Sequence, residues 1–515
     1  MANLTVETRG GVIDAAVTWA RRAPASALAA VLAFHLVVWT VLPLLVCANL
    51  QLDLLEDLAL GKEWQLGYWK HPPLPWWIAD LAFRLVRDER VVYVLGPLSA
   101  VTAMYVVWRF AREVVAPTTA LIAVLALEGI HFFNFSVPKF AHDHMLLVLW
   151  PLTAWFFYRA LAAQRLRDWM LAGLFLALCF WSKYTAFAFA GTLGLFLLVD
   201  PQARKAWATP GPYLMGVSFL AVLAPHLWWL IGSDFPPFRY VDARAAVATH
   251  WYHYLTFPMQ WILGQALALL PTGCLLAIVS WQGGKLAADG ASGKAAFARR
   301  TVTALALGPF AITGIAALLL GRLPITMWGF PLWGFAPLAV LMWLPPQPRR
   351  FAAFARAFII VLVGWPLAYA AVELLEPFVR DRPKATQFPG HLLAETITRQ
   401  WHERTGSPLR YVSGAEVGTG PGEFAANNVA VYSPDRPHVI VHGNPRLSPW
   451  IDMSEVERFG AVVVWQAAPG EDSLPENVRA LFPRAELQPP LVLPRQTLRP
   501  VRPEIVHYAI VPPRR

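Results

Sequence analysis

The sequence predicts an α-helical protein that crosses a membrane many times and ends in a small α/β domain. Two observations support this fold class. Of the 515 residues, 57% are hydrophobic and 15% are charged, whereas soluble proteins average about 45–50% and about 25%. The chain also repeats apolar stretches of about 20 residues, the length that an α-helix needs to cross the hydrocarbon core of a bilayer. The last 140 residues lack such stretches and carry shorter apolar runs.

About eleven membrane spans are predicted in the first 375 residues, which we treat as one membrane domain. The first apolar run is longer than the roughly 7–15 residues of a signal-peptide core, so we expect it to remain as an anchor. The approximate limits of the spans are 27–49, 92–110, 117–135, 144–163, 169–184, 185–199, 211–231, 258–282, 301–320, 328–345 and 353–375.

The distribution of Lys and Arg predicts the orientation. The first 375 residues carry 27 basic and 18 acidic side chains, and 17 of the 27 fall in one alternate set of loops. Positively charged short loops stay in the cytoplasm. We therefore expect a cytoplasmic N-terminus and, with an odd number of spans, an exported C-terminus. The basic residues form no dense block, so nucleic acid is not an expected partner.

The first outer loop, residues 50–91, contains an unusually large number of charged residues for so apolar a chain. A helical pattern over residues 53–61 places Asp53, Glu56 and Asp57 on one face, because residues three and four apart are neighbours on a helix. Asp53 taken alone could simply cap that helix. Three carboxylates are nevertheless predicted to cluster at the membrane surface, where polar groups usually mark function.

A turn-like stretch with two prolines follows these carboxylates and carries Tyr68, Lys70 and His71. After it, an amphipathic, aromatic-rich run over residues 74–84 is predicted to lie in the membrane interface. The same loop therefore offers cations, aromatic rings and carboxylates together.

Two shorter segments place further polar and ionisable side chains at the same predicted face of the membrane. One is a connection in which His142 and His144 flank Asp143, and the other places Lys183 beside Tyr184 at the end of a span. The alternating histidines alone are weak grounds for a zinc site. Lys183 could also simply extend its ammonium toward the interface.

Asp53, followed 18 positions later by the HPPL motif within the run GYWKHPPL at 67–74, resembles the family 39 glycosyltransferases. Their bacterial relatives include protein O-mannosyltransferases, aminoarabinose transferases of lipid A and rhizobial galacturonosyltransferases of the lipopolysaccharide core. The resemblance covers residues 27–375 and includes Asp143 and the Ser-Lys-Tyr stretch at 182–184. It implies the GT-C fold, with a catalytic first outer loop and often a soluble exported domain.

The resemblance also implies a function: transfer of a sugar, with inversion, from a polyprenyl-phosphate donor of the undecaprenyl type. The implied acceptor is lipid A, lipopolysaccharide core or another glycan of the cell envelope, and a protein hydroxyl is the alternative. The high Ala, Leu and Arg content and the exported domain favour a bacterial inner membrane, with the C-terminal domain in the periplasm. A transporter is a further alternative, but it should place polar groups near the bilayer midplane rather than at one face.

Asp53 is the implied catalytic base, because a base and positive charge for the departing phosphate suffice for such a donor. Many members carry adjacent Asp-Glu where this chain has Asp53-Leu54, so Glu56 is expected only to assist. The aminoarabinose transferases have Lys before Pro-Pro, where this chain has His71. A metal is left open. The predicted site residues are Asp53, Glu56 and Asp143 for catalysis, or for a divalent cation if one binds, and Tyr68, Lys70, His71, Lys183 and Tyr184 for the donor phosphate or sugar.

Residues 376–515, hereafter the tail, are predicted to form a separate α/β domain that binds the acceptor or covers the site. Short apolar runs predict strands, and two longer patterns predict helices. Residues 488–515 are rich in Pro and Arg and are predicted to be extended. The predicted strands are 409–413, 429–432, 438–441 and 461–465, and the predicted helices are 396–405 and 453–459.

Overall fold

The computed structural model describes residues 11–280, 293–380, 384–415, 422–466 and 473–514. The remaining residues of the predicted membrane domain and tail lie outside the described part. Helices up to residue 380 are α1 (Val12–Arg22), α2 (Pro24–Val46), α3 (Leu52–Gly61), α4 (Leu74–Val86), α5 (Leu95–Val114), α6 (Pro117–Leu125), α7 (His142–Ala163), α8 (Leu166–Ser182), α9 (Ala186–Val199), α10 (Gly211–Gly232), α11 (Pro236–Arg244), α12 (His253–Ser280), α13 (Gly293–Leu320), α14 (Ala336–Trp343) and α15 (Phe351–Arg380). A two-residue ladder joins β1 (Ala246–Val247) to β2 (Arg322–Leu323).

The predicted fold class is confirmed. Within the described residues, seven helical segments are long and apolar enough to cross a membrane, by length and composition. They are Pro24–Val46, Glu89–Val114, His142–Ala163, Gly211–Gly232, His253–Ser280, Gly293–Leu320 and Pro348–Val379. The segments Pro117–Gly129 and Ala186–Val199 are apolar but shorter. The total of eleven spans therefore stays a prediction.

Two predicted spans are not single helices. Residues 117–135 contain the nine-residue helix α6 followed by 3₁₀ turns at 126–129 and 131–133, and residues 328–345 are interrupted as well. Residues 328–345 contain the end of a 3₁₀ segment, Thr326–Trp333, followed by the short helix α14. Pro331 lies inside the 3₁₀ segment and Pro337 at the start of α14. Proline lacks the backbone N–H that a continuous helix needs and disfavours helical geometry in the residue before it. The apolar pattern predicted the length of this region but not its interruption.

The first loop forms the two helices that the pattern predicts, α3 and α4, and they pack closely on each other. Gly61 permits this contact, because a Cβ atom there would lie 2.3 Å from the carbonyl oxygen of Trp76. Leu54, Leu55 and Leu58 of α3 are fully buried. The loop is therefore a packed platform that fixes the directions of its carboxylates.

The tail folds around a mixed sheet of order β4-β3-β5-β8-β6, with β7 also paired to β8. Strands β4, β3 and β5 are parallel, whereas β8 is antiparallel to β5, β6 and β7. The strands are β3 (Tyr411–Ser413), β4 (His438–Ile440), β5 (Ala461–Trp465), β6 (Glu486–Leu487), β7 (Leu491–Leu493) and β8 (Glu504–Val511), and the helices are α16 (Gly390–Thr405), α17 (Phe424–Tyr432), α18 (Met453–Phe459) and α19 (Glu476–Leu481).

Two local predictions for the tail are wrong. Residues 429–432 end the helix α17 instead of forming a strand, because a short apolar run fits a buried helix as well as a buried strand. Residues 488–515 are not merely extended, since they supply β7 and the eight-residue strand β8. The other predicted strands overlap β3, β4 and β5, and the predicted helices fall on α16 and α18.

The tail packs directly on the first loop. Buried side chains of α3 and α4 share one apolar cluster with buried side chains of α16, α17 and the sheet. Lys62 donates hydrogen bonds to the carbonyl oxygens of Arg436 at 2.8 Å and Pro437 at 2.6 Å, and Glu63 lies 2.8 Å from the Nδ1 atom of His438. The first loop therefore has the helical bundle on one side and the tail on the other.

Candidate functional site

A cavity of about 790 Å³ lies where the first loop, the start of α7, the end of α8, α11 and the tail meet. Most of the predicted site residues line this cavity. They are Asp53, Glu56, Lys70, His71, Asp143, Lys183 and Tyr184. Folding thus brings together residues that are up to 131 positions apart in the sequence.

Two lysine–carboxylate pairs define the charged wall of the cavity. The Nζ atom of Lys70 lies 2.7 Å from Oε2 of Glu56, and that of Lys183 lies 2.5 Å from Oδ2 of Asp143. The second oxygens of both carboxylates, Oε1 of Glu56 and Oδ1 of Asp143, are buried and find no hydrogen-bond partner among the described residues. Each pair therefore keeps one buried acceptor atom without a partner among the described residues.

Burial and mutual repulsion shape the ionisation of the first-loop carboxylates. Burial raises the pKa of Glu56 above its usual value, although Lys70 opposes that shift. Burial, followed by the charges of Asp53 and Glu56, raises the pKa of Asp57 well above its usual range. Burial disfavours the Lys70 ammonium, but the nearby negative charges, Glu56 first, outweigh it and raise the pKa of Lys70. Lys70 is therefore charged at neutral pH.

Asp53 differs from its neighbours. It lies in the first turn of α3, whose N-cap residue is Gln51, so Asp53 is not the helix cap. Its side chain is partly exposed and makes no ion pair or side-chain hydrogen bond within the described residues. A carboxylate that lines the cavity without such a partner is available to accept a proton.

His71 faces the ring of His142, with 4.2 Å between ring centroids. Burial, together with the charges of His142, Lys183 and Lys70, lowers the pKa of His71 well below its usual range. His71 is therefore neutral at pH 7 and can hydrogen-bond a substrate. The positive charge in this wall comes from the two lysines.

The two predicted tyrosines have different surroundings. Tyr184 lines the cavity, and its hydroxyl lies 2.8 Å from Nε2 of His226. Tyr68 does not line the cavity: it is 1% exposed, its hydroxyl donates to the carbonyl oxygen of Leu60 at 3.0 Å, and its ring packs edge-on against Trp76. Tyr68 therefore stabilises the packing of the first loop and is not part of the cavity wall.

The described residues include no group of three or more His, Cys, Asp or Glu placed to hold a metal ion. Lysine ammonium groups already occupy one oxygen of Glu56 and one of Asp143. These carboxylates therefore do not fit a cation site together with Asp53 in the arrangement seen here.

The sequence interpretation missed several residues of the cavity wall, including four with aromatic or ionisable side chains. Trp69 and Tyr240 contribute aromatic rings from the first loop and from α11, and Glu423 and His442 come from the tail. Nε2 of His442 lies 2.9 Å from Oε2 of Glu423. The one available signal for His442 was its place directly after an apolar run, where the carboxyl end of a parallel strand often carries function.

Comparisons with known proteins agree with this architecture. The family model described as dolichyl-phosphate-mannose-protein mannosyltransferase matches residues 70–229. The crystal structure of ArnT from Cupriavidus metallidurans superimposes with a TM-score of 0.52 and 14% identity, covering 96% of this chain and 98% of that one. An oligosaccharyltransferase from Archaeoglobus fulgidus gives a TM-score of 0.42 and 10% identity, covering 85% of this chain and 69% of that one. No curated protein matches the sequence.

The match to the family model begins at Lys70 and includes Asp143 and Lys183, and the structural match extends over nearly the whole chain. The resemblance inferred from the first loop is thereby confirmed at the level of the fold: the chain has the GT-C fold, and residues 70–229 match the protein mannosyltransferase family model.

Proposed function

We propose that this protein transfers a sugar from a polyprenyl-phosphate donor to an acceptor hydroxyl at the face of the membrane that carries the tail. The supporting observation is the composition of the cavity wall. Two lysine–carboxylate pairs and the unpaired Asp53 line one cavity at the end of an apolar helical bundle. This is the set of charges that the reaction requires.

The reaction breaks the bond between the anomeric carbon and the phosphate oxygen and forms a bond from that carbon to the acceptor oxygen. Asp53 takes the proton of the acceptor hydroxyl, and the bond electrons leave with the polyprenyl phosphate. Attack from the face opposite the phosphate inverts the anomeric configuration in one step, without a covalent enzyme intermediate. The proton then passes from Asp53 to water.

Lys70 and Lys183 bind the phosphate. In the structure each ammonium is held by a carboxylate, which neutralises the two partly buried cations. Charge-assisted hydrogen bonds to a phosphate are strong, so the donor competes for the same ammonium protons. Glu56 and Asp143 then turn their freed oxygens toward sugar or acceptor hydroxyls.

The apolar part of the cavity wall offers a binding surface for the lipid portion of the donor. Phe187 of α9, Phe238 of α11 and Met327 line the same cavity as the lysines, and Phe187 is 56% exposed. An isoprenoid chain against these side chains keeps the phosphate at the level of the lysines. The proposed acceptors are glycans or lipids of the cell envelope, such as lipid A or lipopolysaccharide core, at the outer face of a bacterial inner membrane.

A protein acceptor is the second candidate, and the name of the matching family favours it. That family model is described as transferring mannose from dolichyl phosphate to protein. The chemistry at Asp53 is the same for a serine or threonine hydroxyl as for a sugar hydroxyl, so only the acceptor fraction distinguishes the two.

The test is transfer of label from a panel of polyprenyl-phosphate sugars to membrane extracts by the purified full chain, followed by separation of lipid, glycan and protein. Asp53→Asn is expected to lower transfer by roughly 10²–10⁴-fold, the range for a lost general base. Asp88→Asn is the matched control, because Asp88 is an exposed helix cap of the same loop and asparagine caps equally well. Absence of transfer from every donor by the folded wild type would refute the proposal.

A further inference from the structure

The tail contributes a second imidazole–carboxylate pair to the cavity, and the mechanism above does not use it. Glu423 and His442 line the cavity with Lys70 and Glu56, although they follow Lys70 by more than 350 residues. Glu423 is 4% exposed. His442 lies beside this buried carboxylate, with its Nε2 atom 2.9 Å from Oε2 of Glu423.

The topology of the tail explains why these two side chains meet. His442 comes two residues after the parallel strand β4, and Glu423 lies in the connection between its neighbour β3 and α17. Ligands of open α/β sheets bind beyond the carboxyl ends of the parallel strands. The carboxyl ends of these strands form the edge at which such domains bind ligands. In this protein that edge faces the cavity.

The backbone at His442 is held in an uncommon conformation. Its φ of 54° lies in the left-handed region, and Gly443 follows with a φ of 65°. Asn477 donates a hydrogen bond to the carbonyl oxygen of His442 at 2.8 Å, which helps to hold this turn. Non-glycine residues in such conformations cluster at functional sites, where the surrounding structure compensates for the strain.

Trp69 of the first loop completes the group. Its ring meets the ring of His442 nearly edge to face, with 5.6 Å between centroids. The indole Nε1 of Trp69 is buried and has no hydrogen-bond partner within the described residues. An aromatic ring, an indole donor and a carboxylate–imidazole pair supply an apolar surface together with hydroxyl-binding donors and acceptors, as a sugar ring requires.

The position of the pair favours the donor sugar over the acceptor. Glu423 and His442 line the same cavity as Lys70, and the ring of Trp69, the residue directly before Lys70, meets the ring of His442. In the proposed function Lys70 holds the phosphate, and the anomeric carbon is bonded to an oxygen of that phosphate. The sugar ring therefore lies within reach of Glu423.

We infer that Trp69, Glu423 and His442 form the subsite for the sugar ring of the lipid-linked donor. The tail thus selects which sugar is transferred, in addition to covering the cavity. This inference rests on the proposed function, because it assigns the sugar end of the same donor.

The experiment uses the purified full chain and compares Glu423→Gln and His442→Asn with the wild type. Two measurements are made: kcat/KM for polyprenyl-phosphate donors that carry a neutral, an amino or an acidic sugar, and the Kd of polyprenyl phosphate without a sugar. His402→Asn is the matched control, because His402 forms a similar pair with Asp435 at 2.6 Å elsewhere on the tail. Trp69→Phe tests the subsite from the loop side and does not depend on the folding of a tail variant.

The expected result is a loss of about 10- to 100-fold in kcat/KM for the preferred donor, the range for a lost hydrogen bond to a charged group. The ratio of kcat/KM between donors changes, the Kd of the bare lipid phosphate stays constant, and His402→Asn behaves as wild type. Unchanged donor ratios in folded Glu423→Gln and Trp69→Phe would overturn the inference, as would a change confined to the KM of the acceptor. A wild type that transfers no sugar at all would instead refute the proposed function.

Discussion

The two walls of the cavity use the same chemistry but are built in different ways. On the bundle side, Lys70 and Glu56 come from one loop and its helix, and Asp143 and Lys183 come from the facing ends of α7 and α8. On the tail side, Glu423 and His442 follow the ends of neighbouring parallel strands. Helix ends and packed helical surfaces fix the first wall, whereas the edge of a sheet and a left-handed turn fix the second.

This difference suggests that the two walls have different roles in the reaction. The bundle wall carries the lysines and Asp53, which in the proposed function bind the leaving phosphate and accept the proton whichever donor is used. The tail wall carries an imidazole–carboxylate pair without a lysine, which suits recognition of hydroxyl groups. Changes to the bundle wall should therefore affect transfer from every donor, and changes to the tail wall should affect the choice among donors.

After Asp53→Asn, the largest expected effect comes from breaking the bundle wall at Lys70. Lys70→Met removes a ligand of the phosphate and should reduce transfer roughly 10- to 150-fold for every donor, since a hydrogen bond to a charged group contributes roughly 1.5–3 kcal/mol. It also leaves the buried Glu56 without its cation, so the unfolding temperature should fall. Both quantities are measured on the purified full chain by label transfer and thermal unfolding.

A double variant separates the two roles of Lys70. In Lys70→Met/Glu56→Gln the unpaired carboxylate is gone, so the unfolding temperature should recover while transfer remains low. Lys205→Met serves as the control, because Lys205 is exposed and does not line the cavity. Recovery of transfer in the double variant would mean that Lys70 only neutralises Glu56 and does not bind the phosphate.

A second prediction concerns the platform that holds the bundle wall. An alanine at Gly61 would place its Cβ atom 2.3 Å from the carbonyl oxygen of Trp76, so α3 and α4 must move apart. Gly61→Ala should cost about 1–3 kcal/mol of unfolding free energy, the usual range for overpacking. Gly216→Ala is the control, because nothing lies within 4 Å of a Cβ atom there. Equal unfolding temperatures of the two variants would show that the contact between α3 and α4 is not tight.

The sequence predicted the bundle wall much better than the tail wall, for a physical reason. Charged residues in apolar surroundings are rare because they are costly, so Asp53, Lys70, Asp143 and Lys183 stand out by position alone. Glu423 and His442 lie in the more polar tail, in which charge is ordinary. Only long-range strand pairing brings them to the cavity. The sequence also predicts a strand at 429–432, where the structure has the end of α17, so it did not predict which strands pair.

The same limit applies to the fold. Apolar length predicted most of the helices, but it did not predict the interruption of the 328–345 region, where prolines end one segment and begin the next. The prediction from composition also left β8 unrecognised, because its residues lie in a stretch rich in Pro and Arg. Tertiary pairing with β5 makes this segment a strand.

The smallest expected effect concerns the junction between the two walls, where Lys62 of the first loop donates to the carbonyl oxygens of Arg436 and Pro437 of the tail. Burial lowers the pKa of Lys62 from 10.5 to about 7. Between these two pH values the unfolded chain binds more protons at Lys62 than the folded chain does. The free energy of unfolding contributed by this group therefore rises as the pH rises from about 7 toward 10.5, and is lowest at pH 7 and below.

Lys62→Met removes both this titration and the two hydrogen bonds across the junction. Thermal unfolding of the full chain from pH 6.5 to pH 9 should therefore show a difference between wild type and Lys62→Met that widens in favour of the wild type as the pH rises. Lys205→Met, which removes an exposed lysine, should follow the wild-type profile. Parallel profiles for wild type and Lys62→Met would show that the ammonium is well solvated, and that the tail is held on the first loop by other contacts, among them the shared apolar cluster and the pair of Glu63 with His438.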